Sequence, residues 1–373
     1  MSDPSAIEGC VLTPGGWIAG RILYGVRIES VDGISVSKPE PPFVLPGFVD
    51  CHVHGGGGVD MMEGAEAIRT AARLHARHGT TAFCATSVTA PCAEIAAFLD
   101  AVADVMAARR DGEARVLGAH LEGPFLNPGK LGAQPPFAIP VDVGLLSDWT
   151  ARAPVRIVTF APEVDVDGTL HDVLEDQGVR AQIGHSLCDY AIARAAFARG
   201  AGVTHLYNAM SGLSHRDNGL CGAAFAHADH AEIIPDLIHV EAGAILAARR
   251  AIPHLHGVTD ATAGAGMPDG PYSLGGQAII KADGAMRLPD GTLAGSALTM
   301  DIALRNLVTI GLPLAEAAWR LSTLPADWLG LTDIGRLTPG ARADLVVVDE
   351  QLLPTRVVIG GRDVHDEEPQ SWK

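Results

Sequence analysis

Histidines and carboxylates stand in closely spaced pairs at several points of the sequence. One residue separates His52 from His54, and one residue separates His120 from Glu122. Side chains of a β-strand alternate between its two faces, so residues spaced in this way project from the same face. Imidazole nitrogens and carboxylate oxygens are ligands for zinc, iron and similar divalent ions. The spacing therefore predicts a metal site to which strands contribute paired ligands.

Other ionisable residues also come at the ends of apolar runs. These residues are His185, Thr204-His205, Asp236, His239 and Thr259-Asp260. A catalytic metal lowers the pKa of water and polarises a carbonyl group. A nearby aspartate can accept the proton of that water and deliver it to a leaving amine. The residue types therefore favour metal-assisted hydrolysis of a C–N bond.

The elements that must position these residues are eight apolar runs separated by amphipathic helical segments. The runs are 45–54, 80–86, 115–122, 155–163, 179–185, 201–207, 233–240 and 254–261. This alternation is typical of an α/β protein with a (β/α)₈ TIM-like barrel. Catalytic groups of such barrels gather at the carboxyl ends of the strands, and six of the eight runs carry ionisable residues there.

The sequence pattern at the two ends of the chain differs from that of the barrel segment. Residues 1–44 and 335–373 contain short strands and turns without helices to cover a sheet. We expect them to pack together as a small β-sandwich domain beside a catalytic barrel formed by residues 45–334. After residue 262 the sequence predicts a hairpin around Asp283-Gly284, then helices at about 296–310 and 313–321.

The composition limits the classes of partner. The net charge is −17 and no basic patch is visible, which argues against binding to nucleic acid or to an anionic membrane. No apolar run reaches the ~18 residues of a membrane span, and the N-terminus lacks the features of a signal peptide. The six cysteines are scattered without a CxxC pair, which favours free thiols, mostly buried, in a reducing compartment. We expect a soluble cytoplasmic protein.

Several motifs together resemble a known family. They are PGFVDCHVHGGGG, HLEGPFLN, IGHS, THLYNAMSGLSHR, VTDAT and LAGSALTMDIALRNLV. From about residue 45 to 310 the chain resembles the N-acetylglucosamine-6-phosphate deacetylases of the amidohydrolase superfamily, and GRLTPGARADLVVVD resembles the closing β-sandwich segment of that superfamily. The resemblance implies removal of the acetyl group from N-acetylglucosamine-6-phosphate, giving glucosamine-6-phosphate and acetate, in amino-sugar catabolism or recycling.

The resemblance also implies roles for the metal-site residues. Glu122, His185 and His205 match the ligands of the family's main metal. His52 and His54 match a pair that binds a second metal in the members that keep it. Asp260 matches the general base and acid. The implied cofactor is therefore one or two divalent ions per subunit, zinc first and iron, manganese or cobalt as alternatives.

The substrate-binding positions follow in the same way. Asn208 and Ala209 match substrate-binding residues, and His239 matches a histidine that contacts the sugar. Arg216 matches an arginine that reaches the phosphate, often across a dimer interface, so a homodimer in which Arg216 serves the neighbouring subunit is implied. Gln134 stands where the family usually has a histidine that helps hold the sugar. Glutamine keeps a donor and an acceptor but cannot carry a charge.

Three alternatives remain open at this stage. Amidohydrolases that open cyclic amides bridge two metals with a carboxylated lysine at the end of strand 4, but VRIVTFAPE contains no lysine and the chain has only four. The loop with Gln134 and the departure Asp236-Leu237-Ile238-His239 from the usual Asp-Gly-x-His leave room for another sugar. That sugar would be N-acetylgalactosamine-6-phosphate or an unphosphorylated N-acetyl sugar. A barrel that binds sugar or metal without turnover is the third alternative, and Asp260 argues against it.

Overall fold

The computed structural model of the chain describes residues 5–364; the outermost parts of the predicted small domain, residues 1–4 and 365–373, lie outside the described residues. The strands are β1 (Ser5–Thr13), β2 (Gly16–Tyr24), β3 (Ile28–Ser35), β4 (Phe43–Pro46), β5 (Phe48–Val53), β6 (Gly55–Gly56), β7 (Val59–Asp60), β8 (Thr80–Ser87), β9 (Arg115–Glu122), β10 (Val155–Phe160), β11 (Arg180–Ile183), β12 (Gly202–Val203), β13 (His230–Ile233), β14 (His254–Gly257), β15 (Gly270–Leu274), β16 (Gln277–Ala282), β17 (Ala285–Arg287), β18 (Leu293–Ser296), β19 (Leu345–Val348), β20 (Pro354–Ile359) and β21 (Arg362–Asp363).

Helices follow most of the central strands. They are α1 (Ala65–Arg77), α2 (Cys92–Ala107), α3 (Val143–Thr150), α4 (Thr169–Asp176), α5 (Tyr190–Ala198), α6 (Gly219–His227), α7 (Ala242–Ala251), α8 (Met300–Thr309), α9 (Leu314–Leu321) and α10 (Thr323–Trp328). Short 3₁₀ helices lie at Met61–Glu63, Pro128–Lys130 and Pro162–Val164. The last two predicted helices are found at α8 and α9.

Eight parallel strands form the barrel. Their order is β14-β13-β12-β11-β10-β9-β8-β5, and each of the first seven in the chain is followed by one of the helices α1–α7. The two edge strands approach each other through a bridge between Val53 and Ala261 and a hydrogen bond of 2.9 Å from Asp260 N to His52 O. The predicted (β/α)₈ barrel is therefore confirmed.

Burial on both faces explains the composition of these strands. All eight residues of β8 are buried, because helices cover its outer face and the barrel interior fills its inner face. On α1 the buried apolar residues include Ile68, Ala71, Ala72 and Ala76, which recur at helical spacing on the side that faces the sheet. Each large side chain buried in this way, such as Phe83, stabilises the fold by about 1.5–3 kcal/mol relative to exposure.

Several predicted strands are shorter or displaced in the structure, and for two of them the local cause is visible. The seventh barrel strand was predicted at 233–240, but β13 ends at Ile233. Pro235 lacks an N–H for a ladder, and Asp236 Oδ1 accepts from the backbone N–H groups of Ile238 (2.9 Å) and His239 (2.8 Å), which makes a turn. The sixth strand was predicted at 201–207 but pairs only at β12, because the positive φ of His205 (28°) interrupts extended backbone.

The terminal segments share one seven-stranded sheet in the order β21-β20-β19-β4-β1-β2-β3. Strand β4 joins them, since it pairs parallel with β1 and antiparallel with β19. Alternate residues of β19 serve two cores: Leu345 and Val347 pack with Ile22, whereas Val346 and Val348 pack with the barrel core. The division of the chain at residues 44 and 335 remains a prediction.

A four-stranded antiparallel sheet, β15-β16-β17-β18, is inserted between β14 and α8. Asp283 (φ 50°) and Gly284 (φ 78°) form the turn between β16 and β17, which suits a two-residue hairpin and confirms the prediction. Its apolar side packs on Val88. This sheet supplies Leu274 and Leu293 to the wall of the cavity described below.

Two expectations from composition bear on the described residues. None of the helices within residues 5–364 is long and apolar enough to cross a membrane. All six cysteines are free thiols; five of them are buried, and Cys92 is exposed.

Candidate metal centre and active site

The carboxyl ends of five barrel strands bring the predicted metal-site residues together. His52 and His54 lie at the end of β5, Glu122 ends β9, and His185, His205 and Asp260 follow β11, β12 and β14. All six side chains are buried. The residues that period-two spacing and strand-end position singled out are therefore neighbours at one end of the barrel.

Glu122, His185 and His205 form the first ligand cluster. Glu122 Oε1 lies 2.9 Å from Nε2 of His185 and 2.9 Å from Nε2 of His205, and the two nitrogens are 3.1 Å apart. His185 Nδ1 lies 2.9 Å from the carbonyl oxygen of Lys130. Because a carbonyl can only accept, Nδ1 carries a proton, and Nε2 is the nitrogen left to bind an ion.

This arrangement fits a bound cation. In a neutral ring, a lone pair on His185 Nε2 would otherwise face the Glu122 carboxylate and the imidazole of His205 at hydrogen-bond distance. Two imidazole nitrogens and one carboxylate oxygen are a common donor set of catalytic zinc, in which a fourth position stays open. The donor chemistry and the convergence of the three atoms are therefore those of a metal site.

His52, His54 and Asp260 form a second cluster around the other oxygen of Glu122. His54 Nε2 lies 3.1 Å from Nε2 of His52, 3.2 Å from Glu122 Oε2 and 3.1 Å from Asp260 Oδ1. His52 Nε2 lies 3.5 Å from both Glu122 Oε2 and Asp260 Oδ1. Glu122 thus directs one carboxylate oxygen into each cluster.

The electrostatics of the second cluster favour positive charge. Burial alone lowers the pKa of His54, but hydrogen bonds to Asp260 and Glu122 outweigh it and raise the pKa to about 9. Burial raises the pKa of Glu122, and the facing imidazoles reverse this effect and hold the pKa well below its ordinary value. The carboxylates therefore attract cations, which protons or divalent ions can supply.

Asp260 is held as an ionised carboxylate at the edge of this cluster. Burial raises its pKa, but His52 and His54 outweigh that effect, and the pKa is lowered. Its backbone N–H donates to His52 O at 2.9 Å, and its carbonyl accepts from Ser296 N at 2.7 Å. Gly295 packs on that backbone: a Cβ at Gly295 would lie 2.8 Å from Asp260 O.

Backbone strain is concentrated around the site. Eight non-glycine residues of the described chain have positive φ, and six of them lie in the loops that follow barrel strands: His185, His205, Tyr207, Ala209, Leu237 and Asp260. Such conformations cost about 1–3 kcal/mol each and persist only where surrounding contacts hold them. Three of the six, His185, His205 and Asp260, are residues of the two ligand clusters.

The glycines after His54 serve the same edge of the barrel. His54 N and Gly55 N both donate to Ala261 O, at 2.8 and 2.9 Å. Gly57 N and Gly58 N donate to the backbone of the segment that follows Asp260, both at 2.9 Å. A Cβ at Gly55 would lie 2.3 Å from Val59 O, so this close backbone contact requires glycine.

His120 lies on the same strand face as Glu122, but both of its ring nitrogens form hydrogen bonds outside the two clusters. Its Nδ1 lies 2.9 Å from Cys51 O, and its Nε2 lies 2.8 Å from Thr159 Oγ1. Nδ1 therefore donates and Nε2 accepts, which uses both ring nitrogens. Burial lowers the pKa of His120 to about 4, so the ring is neutral. It supports the barrel interior and belongs to neither ligand cluster.

A cavity of about 240 Å³ opens over the ligands. Its lining includes His54, Glu122, Gln134, His185, His205, Asn208, Ala209, His239, Asp260 and Leu293. His239 lies in the loop after β13, with Nδ1 2.7 Å from Asp236 Oδ2. Burial lowers the pKa of His239, but Asp236 outweighs it and raises the pKa.

Two residues that are predicted to contact the substrate form hydrogen bonds within the protein. Gln134 donates from Nε2 to Glu122 Oε2, and its Oε1 accepts from Thr89 N at 2.6 Å. Asn208 Nδ2 donates to the carbonyl oxygens of His205 (3.2 Å) and Leu206 (3.3 Å). Both residues line the cavity. Their contact with a substrate stays a prediction.

Arg216 lies apart from these residues. It is exposed on the loop before α6, where its backbone N–H donates to Ser214 Oγ at 3.3 Å. Among the described residues that line the cavity, Arg216 is not included. Its predicted approach to a phosphate, in its own or a neighbouring subunit, stays a prediction.

Two buried or half-buried carboxylates escaped the sequence analysis. Glu232 lies on β13, and its Oε2 is 3.0 Å from His52 Nδ1. The predicted run began one residue later, at Ile233, and so excluded it. Glu163 follows β10 and accepts from Ser186 Oγ (2.6 Å) and Leu187 N (2.7 Å), which fixes the loop after His185. Its position at the end of the run 155–163 was the available signal.

Comparisons with known proteins agree with this geometry. The profile of the Amidohydrolase family matches residues 43–364. The N-acetylgalactosamine-6-phosphate deacetylase of Escherichia coli O157:H7 is 38% identical over 369 residues, covering 94% of this chain and 97% of the relative. The N-acetylglucosamine-6-phosphate deacetylase of Vibrio furnissii is 36% identical over 353 residues, covering 91% and 88%.

Solved structures give the same result. A mutant of the N-acetyl-D-glucosamine-6-phosphate deacetylase of Mycobacterium smegmatis, in complex with N-acetyl-D-glucosamine-6-phosphate, has a TM-score of 0.90 and 32% identity, covering 97% of this chain and all of that one. The N-acetylglucosamine-6-phosphate deacetylase of Thermotoga maritima has a TM-score of 0.89 and 29% identity, covering 97% and 99%. The resemblance inferred from the motifs is thus confirmed.

Proposed function

The chain belongs to the amidohydrolase family, and we propose that it is a metal-dependent deacetylase that converts N-acetylglucosamine-6-phosphate into glucosamine-6-phosphate and acetate. The observation that carries the proposal is the pair of ligand clusters that share Glu122. Asp260 lies at hydrogen-bond distance from His54, and both line the floor of one cavity. Two relatives of the chain act, by name, on N-acetylated amino-sugar phosphates.

The chemistry divides between the bound ion and the residues of the chain. Glu122, His185 and His205 would hold a divalent ion, which would lower the pKa of water and polarise the acetamide carbonyl. Asp260 accepts the proton of the attacking water as a C–O bond forms at the acetyl carbon. It then gives that proton to the nitrogen as the C–N bond breaks, so that acetate and the free amine leave.

His239 is suited to support the developing negative charge on the acetyl oxygen. Asp236 accepts from Nδ1 and raises the pKa of His239, which favours the imidazolium form, and in that form Nε2 also carries a proton that can be donated into the cavity. A donor placed in advance at an oxyanion commonly contributes about 2.7–4 kcal/mol to transition-state stabilisation. Zinc suits the His/Glu donor set best, with iron, manganese or cobalt as alternatives. His52 and His54 would hold a second ion.

N-Acetylgalactosamine-6-phosphate is the second candidate substrate. The relative from Escherichia coli O157:H7 that carries this activity in its name is 38% identical over almost the whole chain. In addition, Gln134 replaces the histidine that is usual in the glucosamine enzymes. Both substrates carry the same acetamide and 6-phosphate, so the metal site and Asp260 would serve either one.

The proposal is tested by acetate release from a panel of sugars. Chelator-stripped protein is reloaded with zinc and assayed on N-acetylglucosamine-6-phosphate, N-acetylgalactosamine-6-phosphate and unphosphorylated N-acetylglucosamine. We expect the highest kcat/KM on the first sugar, and a higher value on the second would assign the epimer activity instead. Absence of acetate release from every sugar by protein that contains zinc would refute the deacetylase function.

A further inference from the structure

A directed chain of hydrogen bonds runs through the barrel interior to His52. Trp328 Nε1 donates to Gln182 Oε1 at 3.1 Å. Because the indole N–H can only donate, it fixes which end of the Gln182 amide is oxygen. Gln182 Nε2 must then point the other way, where it donates to Glu232 Oε1 at 2.9 Å and to Thr204 Oγ1 at 3.2 Å.

Glu232 receives donors on both of its oxygens. Oε1 accepts from Gln182, and Oε2 accepts from His52 Nδ1 at 3.0 Å and from His205 N at 3.3 Å. The side chain is fully buried, so these protein groups replace the solvent that a carboxylate needs. Because donors occupy both oxygens, Glu232 acts as the acceptor in each of these hydrogen bonds.

This series of hydrogen bonds fixes which nitrogen of His52 faces Glu232. Since Glu232 accepts, His52 Nδ1 carries a proton, and Nε2, which lies 3.1 Å from His54 Nε2 and 3.5 Å from Glu122 Oε2, is the nitrogen left to bind an ion when the ring is neutral. Carboxylates that orient histidine ligands in this way commonly change metal affinity about 10–100-fold when they are removed. The same carboxylate also contacts the backbone of His205, a member of the first cluster.

We propose that Glu232 is a positioning residue for the metal site, which holds His52 in the Nδ1–H tautomer and so keeps its Nε2 available to a second ion, with the direction of the bond set by Trp328 and Gln182. The proposal rests on the proposed function only in that the site holds metal ions. Glu232 touches neither the cavity nor a substrate position, so its effect passes through His52.

The conservative variant Glu232→Gln gives a directional test. Gln182 still presents its N–H₂ group at 2.9 Å, a closer contact than the 3.3 Å bond from His205 N, so we expect the new amide to turn its oxygen to Gln182 and its N–H₂ group to His52. His52 must then protonate Nε2, which removes the lone pair from the second cluster. We expect chelator-stripped wild-type protein to bind two zinc ions in equilibrium dialysis, and Glu232→Gln to bind the second ion about 10–100-fold more weakly.

A second substitution should restore the affinity. In Glu232→Gln with Gln182→Glu, the new carboxylate at 182 accepts from Trp328 and from the amide at 232. That amide can then present its oxygen to His52, and the Nδ1–H tautomer returns. We expect the second zinc affinity to recover to within about threefold of wild type. Glu113→Gln, a buried glutamate whose partners are Arg69 and Arg73, is the matched control and should bind both ions normally.

The outcomes separate this proposal from the proposed function. Zinc binding is measured without substrate, so a protein that binds two ions but releases no acetate refutes the function and leaves the role of Glu232 intact. Three results would overturn the role of Glu232: a single zinc ion in wild type, unchanged second-site affinity in Glu232→Gln, or a loss that Gln182→Glu does not restore.

Discussion

The side-chain amide of Gln134 donates to Oε2 of Glu122, the carboxylate oxygen that faces His52 and His54. The other end of the amide accepts from Thr89 N at 2.6 Å, which fixes its orientation. A neutral donor at this position stabilises the shared carboxylate without adding a charge to the site. Gln134 therefore supports the metal site, in addition to its predicted contact with the sugar.

Gln134→Leu should weaken catalysis through Glu122. The substitution keeps the volume but leaves Thr89 N–H and Glu122 Oε2 without their partner. A hydrogen bond to a charged group contributes about 1.5–3 kcal/mol, so we expect kcat/KM for acetate release to fall about 10–100-fold. The measurement is steady-state kinetics on the preferred sugar phosphate with zinc-loaded protein.

Gln277→Leu is the matched control for that substitution. Gln277 is half-buried, whereas Gln134 is buried, and its amide donates to the backbone carbonyl of Ala133 at 2.8 Å and not to a candidate metal ligand. We expect this variant to keep kcat/KM within about threefold of wild type. Equal losses in the two variants would assign the effect of Gln134 to loop packing.

Arg216→Ala should affect only phosphorylated substrates. If the exposed guanidinium binds the 6-phosphate, its removal eliminates a charge-assisted contact, and KM for the sugar phosphate should rise about 10–100-fold. Activity on unphosphorylated N-acetylglucosamine should stay unchanged. Arg152→Ala, an exposed arginine paired with Asp100, is the control. A similar loss on both substrates would remove the phosphate-binding role of Arg216.

Asp301 predicts a pH-dependent contribution to stability. Burial raises its pKa, but hydrogen bonds from His78 and Thr299 and the charge of Arg305 outweigh it and lower the pKa to about 2. A depressed pKa stabilises the folded state above the ordinary value of 3.8, and this contribution is lost as the pH falls towards about 2. The shift corresponds to about 2 kcal/mol.

Asp301→Asn isolates this contribution. We expect its free energy of unfolding in urea to be about 2 kcal/mol lower than that of wild type at pH 7. The difference should narrow as the pH falls below about 4, because Asp301 of the unfolded chain is then protonated while Asp301 of the folded protein stays ionised down to about pH 2. A difference that stays constant down to pH 3 would show that packing, and not ionisation of Asp301, stabilises the start of α8.

The sequence carried enough information to predict the barrel and to bring the candidate ligands together at one end of it. Period-two spacing placed His52 with His54, and the order of strands placed Glu122, His185 and His205 at the same edge. The deacetylase resemblance added roles to these positions but not their distances. Alternation of strand and helix is a local pattern of the sequence, so it can be recognised without knowledge of the packing.

The remaining features depend on contacts that no local pattern reports. Glu232 was missed because the turn at Pro235 shifts the seventh strand towards the N-terminus. The predicted run began one residue after Glu232, so this carboxylate was not assigned to the strand. His120 and Glu122 share a strand face, yet only the hydrogen bonds to Cys51 and Thr159 exclude His120 from the ligands. These bonds join residues 39 to 69 positions apart.

Acetate release by Asp260→Asn tests the central claim most directly. Asparagine tolerates the positive φ of this position (50°) and keeps the shape of the side chain, but it cannot accept the proton of water. With zinc bound at Glu122, His185 and His205, we expect kcat on N-acetylglucosamine-6-phosphate to fall by about 10²–10⁴-fold. Release of acetate at the wild-type rate by zinc-loaded Asp260→Asn would contradict the account.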